Sequence, residues 1–137
     1  KTSIDKENKV IYIQLCFYQT KLTTSEILQL NKKFASDNLI VGDSAEPRLI
    51  TELSRDCNVV PAIKGQGSIT FGISLLQDYD LVITEDSTEL IKELNNYCWL
   101  EKKSQTPVDN FNHAIDALRY AVSYQLQNPN LGEYHIY

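Results

Sequence analysis

Within the stretch from Leu39 to Ile63 the chain twice runs apolar and β-branched, LIV and then VVPAI, with an amphipathic segment between. A strand, helix and strand of this length close as a crossover unit, so the two strands are expected to lie parallel in one sheet. The first of them sits in NLIVGDSAEP, residues 38 to 47. Ligands of open α/β sheets bind beyond the carboxyl ends of the strands, which makes Asp43 a candidate site residue. A plain helix start capped by Asp43 or Ser44 explains the same letters. Pro47 suits the first helical turn, where its missing N–H costs little, and Leu49, Ile50 and Leu53 form a buried stripe.

The flanking segments extend the same pattern. Lys9 to Tyr18, KVIYIQLCFY, alternates, with Ile11, Ile13, Leu15 and Phe17 on the face expected to be buried. The polar turn Asp5 to Asn8 before it makes Lys1 to Ile4 a hairpin partner. Thr23 and Glu26 form a capping box ahead of Ile27, Leu28, Leu30 and Phe34, predicting a helix to about Ser36. Lys64 to Ser68, KGQGS, is a flexible connection to a helix over Ile69 to Gln77, with Ser68 as its expected cap. Its two glycines do not make a nucleotide loop, but Lys64 is placed to reach a DNA backbone. A strand over Leu81 to Thr84, a helix over Thr88 to Asn95 and a short strand or apolar anchor at Tyr97 to Trp99 follow.

The final helix, Val108 to Gln127, carries Phe111, Ile115, Leu118 and Val122 on its core stripe. Beside that stripe stand Asn112, Asp116 and Arg119, with His113 three residues before Asp116, close enough for both to address one point. An aspartate is a poor helix former in so apolar a setting and needs a reason. An ion pair with Arg119 or Arg48 would supply one, and so would a site.

The net charge of −5 and pI near 5.0 count against a module held to nucleic acid by phosphate neutralisation alone. They leave room for a nuclease, because carboxylates gathered for metal ions make an acidic site. Three widely spaced cysteines, Cys16, Cys57 and Cys98, fit neither a disulfide framework nor a zinc site and suit a reducing cytoplasm. No membrane span or signal peptide is visible. Residues 1 to 137 have the size of one domain, and a start at Lys1 with no methionine suggests a domain from a longer chain.

Together, GDSAEP (42 to 47), PAIKGQGSITFGISLLQDYDLVITEDSTELIKELNNYCW (61 to 99) and NHAIDALRYA (112 to 121) resemble the nuclease domain of the large terminase subunit of tailed bacteriophages and prophages. The resemblance runs from Lys9 to about Leu126. It implies an RNase H-like α/β fold, a central mixed sheet with helices on both faces, in a motor whose ATPase domain pumps DNA and whose nuclease cuts the concatemer. Asp43 and Asp116 match family acids, and His113 matches the histidine of the last motif. The implied chemistry is two-metal-ion hydrolysis with Mg²⁺ or Mn²⁺, the ions that hard oxygen ligands select. His113 would be a metal ligand or an orienter behind the ligands, against a hydrogen-bonded core histidine. Implied partners are double-stranded DNA, the ATPase domain, the small terminase subunit, the portal protein and other copies in the motor, in the bacterial host cytoplasm and with no membrane.

One feature of the family is missing from the letters. Its first acid sits on a strand upstream of Lys9 to Tyr18, and no segment here matches that strand; Asp5, in a turn, is not its equivalent. The ATPase domain and this strand are expected upstream, and the chain as it stands is expected to be a weak or inactive nuclease with two exposed sheet edges. A non-catalytic module that contacts portal or ATPase domain is the alternative, and a resolvase or transposase of the same fold is a third. Glu46, Asp86 and Asp109 stay open as further ligands, Asp109 also as a helix cap.

Overall fold

The computed structural model describes residues 1–104 and 112–127, with side chains for 1–97 and 112–127. In chain order the elements are β1 (Thr2–Asp5), β2 (Val10–Ile13), α1 (Thr24–Ala35), β3 (Ile40–Gly42), α2 (Pro47–Leu53), β4 (Val59–Pro61), α3 (Ser68–Gln77), β5 (Asp80–Ile83), α4 (Thr88–Ser104) and α5 (His113–Gln127). Asp109 and Phe111 lie outside the described residues, as does the predicted start of the last helix at Val108.

The hairpin expected at the start is present: β1 and β2 pair antiparallel, Thr2 opposite Ile13. Its turn is held by the Asp5 carboxylate, which accepts the Asn8 N–H at 3.0 Å and the Asn8 amide at 2.8 Å. Those bonds, the backbone one first, lower the Asp5 carboxyl below its ordinary range. Asp5 is thus spent on its own turn. On the other side β2 pairs in parallel with β5, Ile11 opposite Leu81 and Ile13 opposite Ile83.

The alternation is as expected, with Ile11 and Ile13 buried and Tyr12 and its partner Val82 each 49% exposed. The strand is shorter than the predicted Lys9 to Tyr18. Past Ile13, β5 turns away at Thr84–Ser87, and the Leu15 N–H bonds instead to the Ser87 hydroxyl at 2.9 Å.

Three further expectations are corrected. Tyr97 is not on a strand but on α4, where Leu90, Glu93 and Tyr97 fall on one buried stripe at helical spacing; that stripe overrides the β preference of the aromatics. Ser44 caps nothing: residues 43 to 46 form a turn in which Asp43 Oδ1 accepts the Ala45 N–H at 3.0 Å, and α2 starts at Pro47. Ser68 is the first residue of α3, and the cap position belongs to Gly67 at φ 77°, a left-handed conformation that glycine adopts without a Cβ clash. The capping box of α1 is as predicted, with Glu26 N–H donating to Thr23 Oγ1 and Thr23 N–H to Glu26 Oε2.

The crossover unit is also as predicted, β3 and β4 parallel with α2 between them. The mixed sheet falls into two pieces, β1–β2–β5 and β3–β4. Each piece has its own core. Ile11, Ile13, Leu76, Leu90, Tyr97, Ile115, Leu118 and Val122 pack in the first, and Leu53, Cys57 and Val59 with Ile27, Ile40 and Ile50 in the second. Helix α5 packs on both β1 and β3 and so joins the pieces. Among the described residues the free edges of β1 and β3 have no strand partner, and a cleft of about 500 Å³ lies there, lined by Thr2, Leu15, Ile40, Val41 and Leu118.

Candidate functional site

The site begins at the carboxyl ends of β3 and β4. Asp43 directly follows β3, Lys64 lies three residues past β4, and the Ala62 N–H donates to the Gly42 carbonyl at 2.7 Å, carrying the ladder up to the site. Parallel pairing therefore places the two side chains at the same rim, and the Lys64 ammonium donates to Asp43 Oδ1. That contact, helped by the Ala45 N–H and by the more distant Arg119 charge, holds the Asp43 carboxyl below its ordinary range; Asp43 in turn raises Lys64. The pair is open to solvent, Asp43 at 52% and Lys64 at 39% side-chain exposure.

Helix α5 brings the second acid. Asp116 Oδ1 accepts from Arg119 Nη2 at 3.2 Å, the i,i+3 ion pair foreseen as one explanation of this aspartate. Arg119 is buried, and its aliphatic stem runs across Gly72 of α3, where any Cβ would overlap Arg119 Cγ and Cδ. The absence of a side chain at Gly72 is what lets α3 and α5 meet there. Next to Arg119, the Tyr120 ring takes both bases: Arg119 Cζ lies 4.7 Å and Lys64 Nζ 5.3 Å from its centroid. A run of contacts, Asp43 to Lys64 to Tyr120 to Arg119 to Asp116, thus links the two candidate acids.

His113 occupies the first turn of α5 and is exposed, which removes the core-histidine reading. Among the described residues no group of three or more His, Cys, Asp or Glu gathers as a ligand cluster, so His113 is not drawn into one with the acids. Glu46 is exposed at the start of α2 with no capping bond, and Asp86 is exposed in the turn after β5.

Whether these residues suit a metal is a question of donor chemistry. Asp43 and Asp116 offer hard carboxylate oxygens, each with one oxygen engaged by an internal cation and each reachable from solvent. Mg²⁺ is commonly held by one or two carboxylates plus waters and substrate phosphate. Both acids are donors of the kind such an ion takes, and what links them among the described residues is the run through Lys64, Tyr120 and Arg119.

Sequence reasoning missed two contributors. Tyr120 has no signal of its own, since an aromatic on a helix reads as packing. Glu93 had one: it stands at i+3 from Leu90 and i−4 from Tyr97, an acid on an apolar stripe, which demands a partner. It is 2% exposed, and its carboxylate accepts the N–H groups of Ala114 and Ile115 at the start of α5.

Residues 1–124 match the terminase RNase H-like domain family. The chain belongs to that family. This terminase domain also superposes, at TM-score 0.76 and 25% identity, on the crystal structure of the g2p (large terminase) nuclease domain from bacteriophage SPP1 with bound Mn. The match covers 90% of this chain and 75% of the SPP1 domain. No curated protein matches. The fold expected from the resemblance is therefore the fold found, and the likeness to a phage nuclease domain supports a nuclease. A DNA substrate and the setting of a packaging motor follow from the family. Among the described residues no helix is long and apolar enough to cross a membrane.

Proposed function

We propose that this terminase domain is a divalent-metal-dependent endonuclease that cuts concatemeric double-stranded DNA during packaging. The observation that supports the reading is the contact run that links Asp43, at the end of a strand, to Asp116, on a packed helix, through Lys64, Tyr120 and Arg119. Carboxylates on rigid supports are what an oxygen-ligated ion needs. Mn bound to the SPP1 domain supports the choice of ion. Bound there, Mg²⁺ or Mn²⁺ would supply Lewis acidity to the phosphodiester and to an attacking water.

The chain's own residues divide the remaining work. Asp43 and Asp116 would hold the ion; Arg119, locked by burial and by Gly72, keeps Asp116 in place. Lys64 neutralises Asp43 and, with an ion held by Asp43, would be available to meet the DNA backbone. Exposed His113 stands within a turn of Asp116 as an outer orienter or third ligand.

A second ion needs donors that the Asp43 and Asp116 pair does not provide. The cleft between β1 and β3, whose facing edges pair with no strand among the described residues, has room for the further carboxylate that a second ion would need. In the complete terminase large subunit, Asp43→Asn and Asp116→Asn should each lower Mn²⁺-dependent plasmid cleavage about 100-fold or more. Undiminished cutting by both would overturn the reading and favour a non-catalytic module that contacts portal or ATPase domain.

A further inference from the structure

We propose that Glu93 is a positioning residue that sets the axial place of α5, and with it the place of Asp116, Arg119 and Tyr120 relative to Lys64 and Asp43; the consequence for metal binding rests on the function proposed above. Glu93 lies on α4 and is almost fully buried. Its two carboxylate oxygens take the Ala114 N–H at 2.9 and 3.0 Å, and one of them takes the Ile115 N–H at 3.3 Å.

Those N–H groups belong to the first turn of α5, where no carbonyl of the helix can reach them, and a negative charge there also meets the positive end of the helix dipole. A local cap from Asn112 would satisfy the same donors. Using a carboxylate from another helix does something a local cap cannot: it ties α5 to α4. Tyr18, from the segment after β2, stands near this carboxylate, and its phenol is pushed up by partial desolvation and by the Glu93 and Glu89 charges.

The tie matters because, apart from Arg119 and Ser123 against Gly72, the buried side chains of α5 are apolar. Ile115, Leu118 and Val122 hold the helix against the core, but apolar burial is non-directional and tolerates a small slide or rotation. Hydrogen bonds do not tolerate it. Asp116 is the very next residue after Ile115, and Arg119 and Tyr120 follow within a turn, so the bonds to Glu93 fix where all three stand relative to Lys64 and Asp43.

The test uses Glu93→Gln alone and with Asn112→Asp, which returns an acidic cap to α5 without the tie to α4. Three signals are read: melting temperature, Mn²⁺ affinity by calorimetry, and, in metal-free protein, the NMR shift that the Tyr120 ring imposes on the Lys64 ε-methylene. Glu93→Gln should weaken Mn²⁺ binding about 10-fold and move the Lys64 resonance toward its unperturbed position. Adding Asn112→Asp should recover melting temperature but neither of the other two. A native Lys64 resonance in Glu93→Gln, or recovery of all three signals by Asn112→Asp, would overturn the proposal. If Glu93→Gln does not fold, Glu93→Asp, with the charge kept and the reach shortened, reads the same signals. Because the Lys64 resonance needs no metal, a native protein that binds no Mn²⁺ defeats the metal reading and leaves Glu93 to be decided by that resonance.

Discussion

The half of the molecule built on β1, β2 and β5 buries Ile11, Ile13, Leu90, Leu118 and Val122 among three helices, whereas the half built on β3 and β4 buries Leu53, Cys57 and Val59 beneath α1 and α2. Each half contributes one candidate acid. Asp116 rides on a helix clamped by the larger core and by Glu93; Asp43 stands at the end of a three-residue strand, steadied by the Ala45 N–H and Lys64. The site therefore joins a firmly packed half to a thinly packed one, and α5, packed on both sheets, is the element that keeps them in register. An ion bound by both acids would add a second link.

The contrast can be broken most forcefully in the cores. Ile11→Ala, at a fully buried position, should cost about 4 kcal/mol in urea unfolding, and Leu53→Ala in the smaller core about 2 kcal/mol. Equal costs would show that the halves do not differ as described.

Gly72→Ala comes next, at about 1–3 kcal/mol, because its methyl would enter the Arg119 stem and Ser123 Oγ. It should also disturb the Asp116 to Arg119 pair, visible as a changed Arg119 side-chain NMR signal. A neutral effect would mean that α3 and α5 have slack.

The smallest effect concerns the open rim. Lys64→Met removes an exposed ion pair and should change stability by under about 1 kcal/mol. The folded-state pKa of Asp43 is lowered from 3.8, so its share is present above that value and lost as pH falls through it; Lys64 is raised from 10.5, so its share is present below that value and lost as pH rises past it. The difference between native and Lys64→Met should accordingly be flat from about pH 5 to 9 and shrink outside that window. A steep change near neutrality would point to another titrating group.

Much of this was readable from the letters, for physical reasons. The Thr23 and Glu26 box, the β3–α2–β4 crossover and the Ile11/Ile13 face depend on local spacing, and local spacing is what a sequence displays. The early end of β2, the continuation of α4 through Tyr97 and the service of Glu93 to α5 depend on partners distant in the chain, such as Ser87 and Ala114. Asp43 stands out by its place at the carboxyl end of a strand and Asp116 as an acid on an apolar helix, and the motif resemblance matches both to family acids. That Lys64, Tyr120 and Arg119 would bridge them needed the packing of α5 on β3.

The proposed activity requires Asp43 and Asp116 to share one ion. Mn²⁺ titrated calorimetrically into the native domain, Asp43→Asn, Asp116→Asn and the double variant tests this directly. Each single change should remove most of the binding and the second should add little, because one ion loses the same site either way. Independent, additive losses, or singles that bind as the native protein does, would contradict it.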